Sequence, residues 1–347
     1  MPVGLDLGSH TIRAVELDNV KGSVVLTRFG SYENPKISLE SKTKEDLLTY
    51  TAALKSFFSE IGFSTPEVYT SLPESYVFTR VIKLPQMSEK ELKTSIAFEA
   101  EQYIPLPLKD VSYDFQIIDN DLVDKDKMNV LLVAAKKEFL SKYVALVKGS
   151  GLSPKGLEPE TLSLTRALNA SVGKANASII VNFGTNDSQI IVTYKGFVRF
   201  TRSISVGGGT ITRAVAQGLG LEYAQAEEYK RTYGLDPSQA EGKVYNAIKP
   251  VFDGILGEIK RSRVFYTTHS PSVIINRIIL CGGTALMPGL LFYVTNNLDL
   301  ETELANPWRN IVFSDRIDSQ KEKIMELGPI FVTAVGLALK ELKKDGI

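Results

Sequence analysis

The beginning of the chain alternates between apolar and small or polar residues in a way that predicts a β-hairpin. Val3, Leu5 and Leu7 alternate with glycine and aspartate, and strand-like apolar spacing resumes at residues 12–17. The four residues between these runs, 8–11 (GSHT), are typical of a tight polar turn. Such a turn exposes backbone N–H groups and hydroxyls, which suits the oxygens of a phosphate chain. The hairpin therefore predicts either an ordinary corner of a sheet or a phosphate-binding loop.

The same order of elements returns in the second half of the chain. Residues 177–183 (ASIIVNF) predict a strand that runs into the polar turn 184–188 (GTNDS), and a returning strand follows directly. A third apolar run, 273–280, leads into the pair Gly282 and Gly283. An internal repeat of this kind indicates two similar halves that face each other across a cleft.

The stretch 73–150 has a different character. It predicts a strand, a helix, two strands and a second helix, which together form a compact α+β unit inserted into the first half. The first of these helices begins with a capping box, because Ser88 is followed three residues later by Glu91, and it is predicted to end before Pro105. A charged loop is predicted between the two strands, at 119–127.

Further helices are predicted where apolar residues recur at helical spacing. The clearest is 46–62, which ends at a glycine, and the longest is 244–270. Helices are also predicted at 158–170 and, as the closing element, at 326–343.

The composition describes an ordinary globular protein with several domains. Its 347 residues exceed what one hydrophobic core usually holds, and 44% of them are hydrophobic and 23% charged. The 40 basic and 40 acidic side chains balance, so no overall field favours nucleic acid. One cysteine and two widely separated histidines argue against an intramolecular disulfide and a histidine-rich metal site. Without a signal peptide or an apolar run of about 20 residues, a cytoplasmic protein is expected.

Three glycine turns, each at the end of an apolar strand, resemble the nucleotide-binding loops of the actin, sugar kinase and Hsp70 superfamily. Residues 3–13 resemble its first phosphate loop, 179–188 its second, and 278–290 (IILCGGTALMPGL) its adenosine loop. The resemblance implies an α/β fold, namely the actin-like (ribonuclease H-like) two-lobed ATPase fold. The unit at 73–150 resembles the extra α+β subdomain of the FtsA-like branch.

The resemblance also implies how the chain is divided. The expected parts are a first lobe at 1–72, completed by about 151–175 and 327–347, an inserted FtsA-like subdomain at 73–150, and a second lobe at 176–326 with a helical subdomain at about 207–275.

Within that branch, four segments resemble the PilM family, the cytoplasmic actin-like proteins of type IV pilus assembly. These segments are 98–115 (FEAEQYIPLPLKDVSYDF), 226–234 (AEEYKRTYG), 244–251 (VYNAIKPV) and 306–308 (NPW). The resemblance implies an ATP-binding adaptor that holds the cytoplasmic tail of a PilN-like membrane protein in a groove between the first and inserted subdomains, edged by 98–111. The chain would then lie in the cytoplasm, peripheral to the inner membrane through its partner. Self-association is left open.

The resemblance assigns nucleotide-binding roles to specific residues. Asp6 would hold a hydrated Mg²⁺, and the other expected contacts of ATP or ADP are Gly8, Ser9, His10, Thr11, Arg13, Gly184, Thr185, Asn186, Gly207, Gly208, Glu227, Lys230, Gly282, Gly283, Thr284 and Met287. The physical character of the glycines agrees, since only glycine lets the backbone approach a flat base or a phosphate closely. An ordinary solvated ion pair is an equally good interpretation of Glu227 and Lys230.

One departure from the superfamily pattern concerns catalysis. The second phosphate loop usually begins with aspartate, and Asn182 stands there in this chain. An amide donates and accepts hydrogen bonds but cannot accept a proton as a general base. Glu158, which precedes Pro159, resembles the glutamate that positions water in bacterial actins. We therefore expect nucleotide binding with slow or no hydrolysis.

Two other functions share the same nucleotide core. An FtsA-like actin homologue would form filaments at a membrane. A small-molecule kinase would need a base for the substrate hydroxyl, usually the aspartate replaced here by Asn182, and a second polar pocket. A sedimentation assay with ATP and a phosphate-release assay separate these alternatives from an adaptor.

Overall fold

A computed structural model describes residues 1–342, apart from 36, 38, 40, 42, 121–123 and 172–176. Part of the loop predicted at 119–127 and the last residue of the closing helix predicted at 326–343 lie outside these described residues. The remaining chain forms three β-sheets with helices packed between and around them.

Strands make up three sheets, and their bounds in chain order are β1 (Val3–Leu7), β2 (Thr11–Val20), β3 (Ser23–Glu33), β4 (Glu67–Leu72), β5 (Val77–Pro85), β6 (Val111–Asn120), β7 (Lys127–Lys136), β8 (Ser153–Pro159), β9 (Ala177–Phe183), β10 (Ser188–Tyr194), β11 (Phe197–Ile204), β12 (Ile275–Gly282), β13 (Glu301–Leu304) and β14 (Ile311–Phe313).

The helices cover the sheets, and their bounds in chain order are α1 (Lys44–Ile61), α2 (Glu89–Tyr103), α3 (Lys137–Gly149), α4 (Glu160–Leu168), α5 (Gly208–Leu219), α6 (Tyr223–Tyr233), α7 (Lys243–His269), α8 (Leu290–Leu298), α9 (Lys321–Glu326) and α10 (Gly328–Ala338).

Lobe 1 and lobe 2 are built on sheets of the same design. The sheet of lobe 1 has the order β14-β3-β2-β1-β4-β8, and that of lobe 2 has the order β11-β10-β9-β12-β13. In each, an antiparallel three-stranded meander is followed by a parallel neighbour, β4 beside β1 and β12 beside β9. The repeat predicted from the two apolar strands and their polar turns is therefore present in the topology.

The inserted subdomain has its own antiparallel sheet, β5-β7-β6, and a core against α2. The predicted capping box is formed, since Ser88 Oγ accepts from the N–H of Glu91 and the Glu91 carboxylate accepts from the N–H of Ser88. The last predicted helix of this unit, α3, packs differently: Phe139 and Tyr143 belong to the same core as Leu54 of α1. The inserted subdomain thus shares its final helix with lobe 1.

Two helices of the final structure differ from those predicted. Helix 158–170 begins only at Glu160, because Glu158 and Pro159 continue β8, which pairs in parallel with β4. The closing helix predicted at 326–343 is α10, which begins at Gly328, because Leu327 is not helical and Pro329 occupies the first turn, and which ends at Ala338. The short helix α9 before it was not predicted. Two short strands, β13 and β14, were not predicted at all.

The two lobes meet at α4 and α10. Glycines in β1 and in α10 allow close backbone contacts of α10 with β1 and with α4. A Cβ on Gly4 of β1 would lie 2.0 Å from the carbonyl oxygen of Ala334. A Cβ on Gly336 of α10 would lie 1.9 Å from the carbonyl oxygen of Ser163 in α4. One apolar core contains Val335 of α10, Leu164 of α4 and residues of both large sheets. In the described part of the chain, none of the helices has the length and apolar character needed to span a bilayer.

These close approaches predict a sharp difference between glycine positions. Gly336→Ala gains about 1 kcal/mol of helix propensity, but the clash with Ser163 costs more, and we expect a net loss of about 2 kcal/mol in the free energy of unfolding. Gly4→Ala should lose a similar amount. Urea unfolding followed by circular dichroism measures both changes.

Gly254→Ala in α7 is the matched control, since a Cβ there meets no heavy atom within 4 Å. We expect this variant to be as stable as the wild type or more stable. Equal stability of Gly336→Ala and Gly254→Ala would contradict the packing described for α10.

Candidate functional site

The first polar turn, residues 8–11, is held in place by a side chain 26 residues away. Asn34 Nδ2 donates to the carbonyl oxygen of Gly8 (2.8 Å), and the N–H of Asn34 donates to the carbonyl oxygen of His10 (3.0 Å). Gly8 is required sterically, because a Cβ would lie 2.6 Å from the carbonyl oxygen of Thr11. The turn is therefore a fixed backbone structure, with two of its carbonyl oxygens already used by Asn34, a residue that the sequence analysis did not single out.

Asp6 and Arg13 face each other beside the turn of the hairpin. They pair in the β1–β2 register, and Arg13 Nη1 lies 3.7 Å from Asp6 Oδ2. Ser71 Oγ donates to Asp6 Oδ1 (3.2 Å). Burial raises the pKa of Asp6, and the positive charge of Arg13 only partly offsets this; burial likewise lowers the pKa of Arg13. This corner holds one carboxylate and one cation, both withdrawn from solvent.

The second polar turn lies against the glycines that open α5. The N–H of Gly208 donates to the carbonyl oxygen of Gly184 (2.9 Å), and the N–H of Gly209 donates to that of Thr185 (2.8 Å). A Cβ on Gly207 would lie 2.6 Å from the Thr185 oxygen. The structure therefore brings the predicted residues of these two segments into direct backbone contact.

Lys230 is buried beneath this turn, so the Glu227–Lys230 pair is not the solvated ion pair that was one of its two interpretations, and its contact with a nucleotide stays a prediction. Its Nζ donates to Glu227 Oε2 (2.6 Å), Thr212 Oγ1 (2.9 Å) and the carbonyl oxygen of Gly208 (3.3 Å), and only 6% of the residue is exposed. Burial lowers the pKa of Lys230. Burial opposes ionisation of Glu227, but hydrogen bonds from Lys230 and Thr212 hold its pKa below the usual range.

The third glycine turn, at Gly282 and Gly283, lies next to α5 and to the end of β9. Gly282 has φ = 85° and its Cβ would lie 2.3 Å from the carbonyl oxygen of Phe183, so this position requires glycine. A Cβ on Gly208 would lie 2.8 Å from Thr284 Oγ1, which places the third turn beside α5. A Cβ on Gly234, at the end of α6, would lie 2.9 Å from Met287 Cγ. Gly283 differs from these glycines, since a Cβ there meets no heavy atom within 4 Å.

Glu160 joins the two lobes at this place, and the sequence analysis missed it. It is the first residue of α4, and Gln189 Nε2 of β10 donates to its carboxylate. Burial raises the pKa of Glu160 well above its usual range, and the negative charges of Asp6 and Asp187 raise it further. Burial also raises the pKa of Asp187. Gln189 directly follows the second turn, and Ser71, which binds Asp6, lies on β4 beside the β8 strand that leads into Glu160. The two turns therefore lie at one place between the lobes, which we call the interlobe cleft.

The carboxylate of Glu158, by contrast, forms structural ion pairs. Arg166 binds both of its oxygens (2.6 and 2.9 Å), and Lys340 Nζ lies 2.9 Å from Oε2. Burial opposes ionisation, but Arg166 and Lys340 hold the pKa of Glu158 below its usual range. In the cleft, Asn182 Oδ1 lies 3.6 Å from the thiol of Cys281 and beside Gly282. The glutamate near Asp6 and Asp187 is therefore Glu160, two residues after Glu158, and the buried Glu74 lies near Glu160 and Asp187 as well.

The donor set around Asp6 fits one kind of metal binding. Among the described residues, no group of three histidine, cysteine, aspartate or glutamate side chains could enclose an ion. Mg²⁺ usually keeps several waters and binds through one or two carboxylates together with phosphate oxygens. A single carboxylate such as Asp6 beside a polar glycine turn suits a hydrated Mg²⁺ that is shared with a phosphate ligand.

Two sheets of one design, with three glycine turns around a cleft between them, define the class of the protein as an actin-like fold. Its particular family follows from comparison with known sequences. A family model of the type IV pilus assembly protein PilM matches residues 4–342. The chain therefore belongs to the PilM family of type IV pilus assembly proteins, as its sequence segments predicted.

Comparisons with single proteins show how far the similarity of sequence and of fold extends. The chain is similar to a chain of a "PilM-PilN type IV pilus biogenesis complex" (26% identity, 99% of this chain and 98% of that chain, TM-score 0.85). MreB5 of Spiroplasma citri bound to AMPPNP shares the fold (13% identity, 99% and 97% coverage, TM-score 0.55). Cell division protein FtsA of Neisseria meningitidis serogroup B (strain ATCC BAA-335 / MC58) is 26% identical over 193 residues, which are 48% of this chain and 43% of FtsA. The match thus spans less than half the length of that relative.

Glu160 and Glu158 lie in opposite electrostatic environments. We therefore expect opposite changes in the free energy of unfolding when their charges are removed. The folded-state pKa of Glu160 is raised, so its ionisation destabilises the fold as the pH rises. Glu160→Gln should therefore be more stable than the wild type near pH 7.5, without nucleotide, and the gain should shrink towards about pH 4. Urea unfolding across this pH range measures the difference.

Glu158→Gln is the matched variant with the reverse sign. The folded-state pKa of Glu158 is lowered, so its contribution is present at neutral pH and lost as the pH falls. Leaving Arg166 without its partner should cost about 3 kcal/mol. Stabilisation by Glu158→Gln, or destabilisation by Glu160→Gln, would contradict the electrostatics described here.

Proposed function

We propose that the protein binds ATP or ADP with Mg²⁺ in the interlobe cleft and acts as a cytoplasmic adaptor of type IV pilus assembly. The observation that carries the nucleotide part is that Gln189, directly after the second turn, binds Glu160, which follows the strand beside that of Ser71, the partner of Asp6. We therefore expect one phosphate chain to contact both turns. The fold is also that of MreB5, which was solved with AMPPNP.

The proposed contacts follow the three turns. Asp6 would hold the hydrated Mg²⁺, and Arg13 would supply positive charge beside the phosphates. The turns at Gly8, Ser9, His10, Thr11 and at Gly184, Thr185, Asn186 would bind phosphate oxygens through N–H groups and hydroxyls. Gly207 and Gly208 would lie close to the ribose. Glu227 and Lys230 would reach the ribose hydroxyls or the purine edge. The adenine would be supported by Gly282, Gly283, Thr284 and Met287.

Hydrolysis is proposed to be slow or absent. A fast ATPase needs a group that orients or deprotonates the attacking water. Asn182 cannot accept a proton, and the carboxylate of Glu158 is bound by Arg166 and Lys340. Glu160 is the better placed carboxylate, and we assign to it any residual turnover.

The partner is proposed to be the cytoplasmic tail of a PilN-like membrane protein. The similar PilM structure was solved as a PilM–PilN complex. We place the tail between the first and inserted subdomains, along 98–111, where Phe98 is 71% exposed and Leu106 is 38% exposed. Exposed apolar side chains rimmed by polar residues are typical of a peptide-binding surface. This contact would hold the protein at the inner membrane, with subdomain limits near residues 72, 150, 175 and 326.

Filament formation is the second candidate function, and the partial similarity to FtsA favours it. The two functions differ in self-association. Sedimentation of the purified protein with Mg²⁺ and ATP would support the filament, whereas a soluble form that still binds the tail would support the adaptor.

Nucleotide binding has a direct test at the third turn. Gly283→Arg should fill the space where a Cβ meets no protein atom, and Asp6→Ala should remove the Mg²⁺ ligand. We expect each to weaken the binding of Mg·ADP at least about tenfold, measured by isothermal titration calorimetry.

The control is Gly254→Arg, an equally exposed glycine with open space around its Cβ in α7. It should bind Mg·ADP like the wild type. Unchanged affinity in both Asp6→Ala and Gly283→Arg would remove the nucleotide from the proposed function.

Tail binding is tested with a pair of exposed phenylalanines. Phe98→Ala should weaken binding of a peptide from the PilN-like tail at least about fivefold, because such anchors carry much of the affinity of a small interface. Phe292→Ala in α8, where the side chain is 72% exposed, is the matched control. Fluorescence anisotropy measures both, and equal losses would place the tail elsewhere.

A further inference from the structure

A cavity of about 400 Å³ lies between the inserted subdomain and lobe 2. Residues of β5 and β7 line one side, among them Arg80 and Asn129, and residues of β11 and the end of α7 line the other. Its size falls in the range of small-molecule sites. The described residues that line this subdomain pocket include none from the three glycine turns or from segment 98–111, so it is not part of the nucleotide cleft or of the proposed peptide groove.

The basic side chains around the subdomain pocket are already engaged. Arg199 is 7% exposed, and the carboxylate of Asp119 accepts from its Nη1 at 2.6 Å and from its Nη2. Arg80 is exposed to solvent, which screens its charge, and its guanidinium lies 5.6 Å from the centre of the Tyr103 ring. Lys83 has an interaction of its own. Charge therefore gives this pocket no preference for an anion, and recognition here would depend on shape and hydrogen bonds.

Three aromatic rings form one wall of the subdomain pocket. The ring centres of Phe200 and Phe265 lie 5.2 Å apart, and those of Phe265 and His269 lie 4.3 Å apart. Phe265 is 51% exposed, although it is apolar and borders a cavity. A flat ring stacked on Phe265 would remove apolar surface from water and add the attraction between aromatic rings. The wall therefore favours a planar aromatic ligand.

Two hydrogen-bonding atoms on the lobe 2 side of the pocket are buried without a partner in the described part of the chain. They are Nε of Arg199 and Oγ1 of Thr201, and both residues line the pocket. Because Asp119 accepts from the two Nη atoms, the planar guanidinium keeps its Nε–H for a different acceptor. An unpaired buried polar group costs free energy that a ligand or a water recovers. A carbonyl oxygen can accept from Arg199, and a neighbouring N–H can donate to Thr201.

We propose that the subdomain pocket binds an uncharged planar aromatic molecule that carries an amide or lactam group. Its ring would stack on Phe265, and its carbonyl and N–H would face Arg199 and Thr201. Such a ligand contacts the inserted subdomain and lobe 2 at once, so it would fix their relative position. The pocket would bind this ligand whether or not a nucleotide occupies the interlobe cleft.

The aromatic wall is tested with carbostyril, a fluorescent bicyclic lactam, in titrations of the full chain with excess Mg·ADP present. We expect Phe265→Ala to weaken carbostyril binding about fivefold, because the stacked ring is lost. Phe292→Ala in α8, where the side chain is 72% exposed, is the matched control and should bind like the wild type. Circular dichroism and the midpoint of urea unfolding verify that each variant is folded.

The hydrogen bonds have a separate test, because naphthalene has two fused rings without the lactam group. Thr201→Val keeps the shape of the side chain and removes its hydroxyl. It should weaken carbostyril binding about fivefold and leave naphthalene binding unchanged. Thr295→Val, at an exposed position of α8 outside the pocket, should leave the binding of both unchanged.

Failure of any of these contrasts would overturn the proposal. Unchanged or undetectable binding of carbostyril in both Phe265→Ala and the wild type would remove the aromatic wall from the site. An equal loss for carbostyril and naphthalene in Thr201→Val would remove the lactam contact, and tighter binding of naphthoate than of carbostyril would show selection by charge. Loss of carbostyril binding in Gly283→Arg, but not in Phe265→Ala, would place the probe in the nucleotide cleft.

Discussion

The structure depends on backbone contacts that only glycine permits between the sheets and the helices that join them. Gly4 brings β1 against Ala334 of α10, and Gly336 brings α10 against Ser163 of α4. These approaches fix α4 relative to β1, and α4 begins with Glu160. The carboxyl end of β1, with Asp6 and the first polar turn, therefore stays beside the second turn of lobe 2. The geometry of the cleft is a consequence of this packing.

The ionised forms of the carboxyl groups in the cleft are unfavourable, and a bound cation would stabilise them. The pKa values of Asp6, Glu160 and Asp187 are all raised, in each case chiefly by burial. Arg13 is the cation paired with Asp6, and burial lowers its own pKa. A site that concentrates buried carboxylates beside glycine turns is typical of function rather than of stability. In the proposed complex, which is an anion as a whole, the Mg²⁺ would supply positive charge beside Asp6, and the phosphates would supply partners for the turns and for Arg13.

The inserted subdomain is attached to both lobes, so it connects the cleft with the proposed partner surface along 98–111. Its helix α3 shares a core with α1 in lobe 1, and Asp119 of β6 binds Arg199 of β11 in lobe 2. A change in the angle between the lobes must therefore move or strain the subdomain that carries Phe98. This connection is a structural basis for coupling between nucleotide and tail, in which each ligand would shift the affinity for the other.

Local signals predicted much of this structure, and long-range contacts account for what they missed. The hairpins, the capping box at Ser88 and the left-handed glycine that ends α1 depend on neighbouring residues, and all are present. Glu158 was placed in a helix because its strand exists only through pairing with β4. Asn34 supports the first turn from 26 residues away, and Asp119 meets Arg199 from 80 residues away. Contacts between residues this far apart leave no periodic pattern in the sequence.

Hydrogen–deuterium exchange of the full chain, with and without Mg·ADP, tests the central claim most directly. If the two polar turns close on one nucleotide, backbone amides at 8–11 and at 184–187 will be protected together and at the same ligand concentration. Protection at one turn alone, or at neither, would contradict a shared cleft.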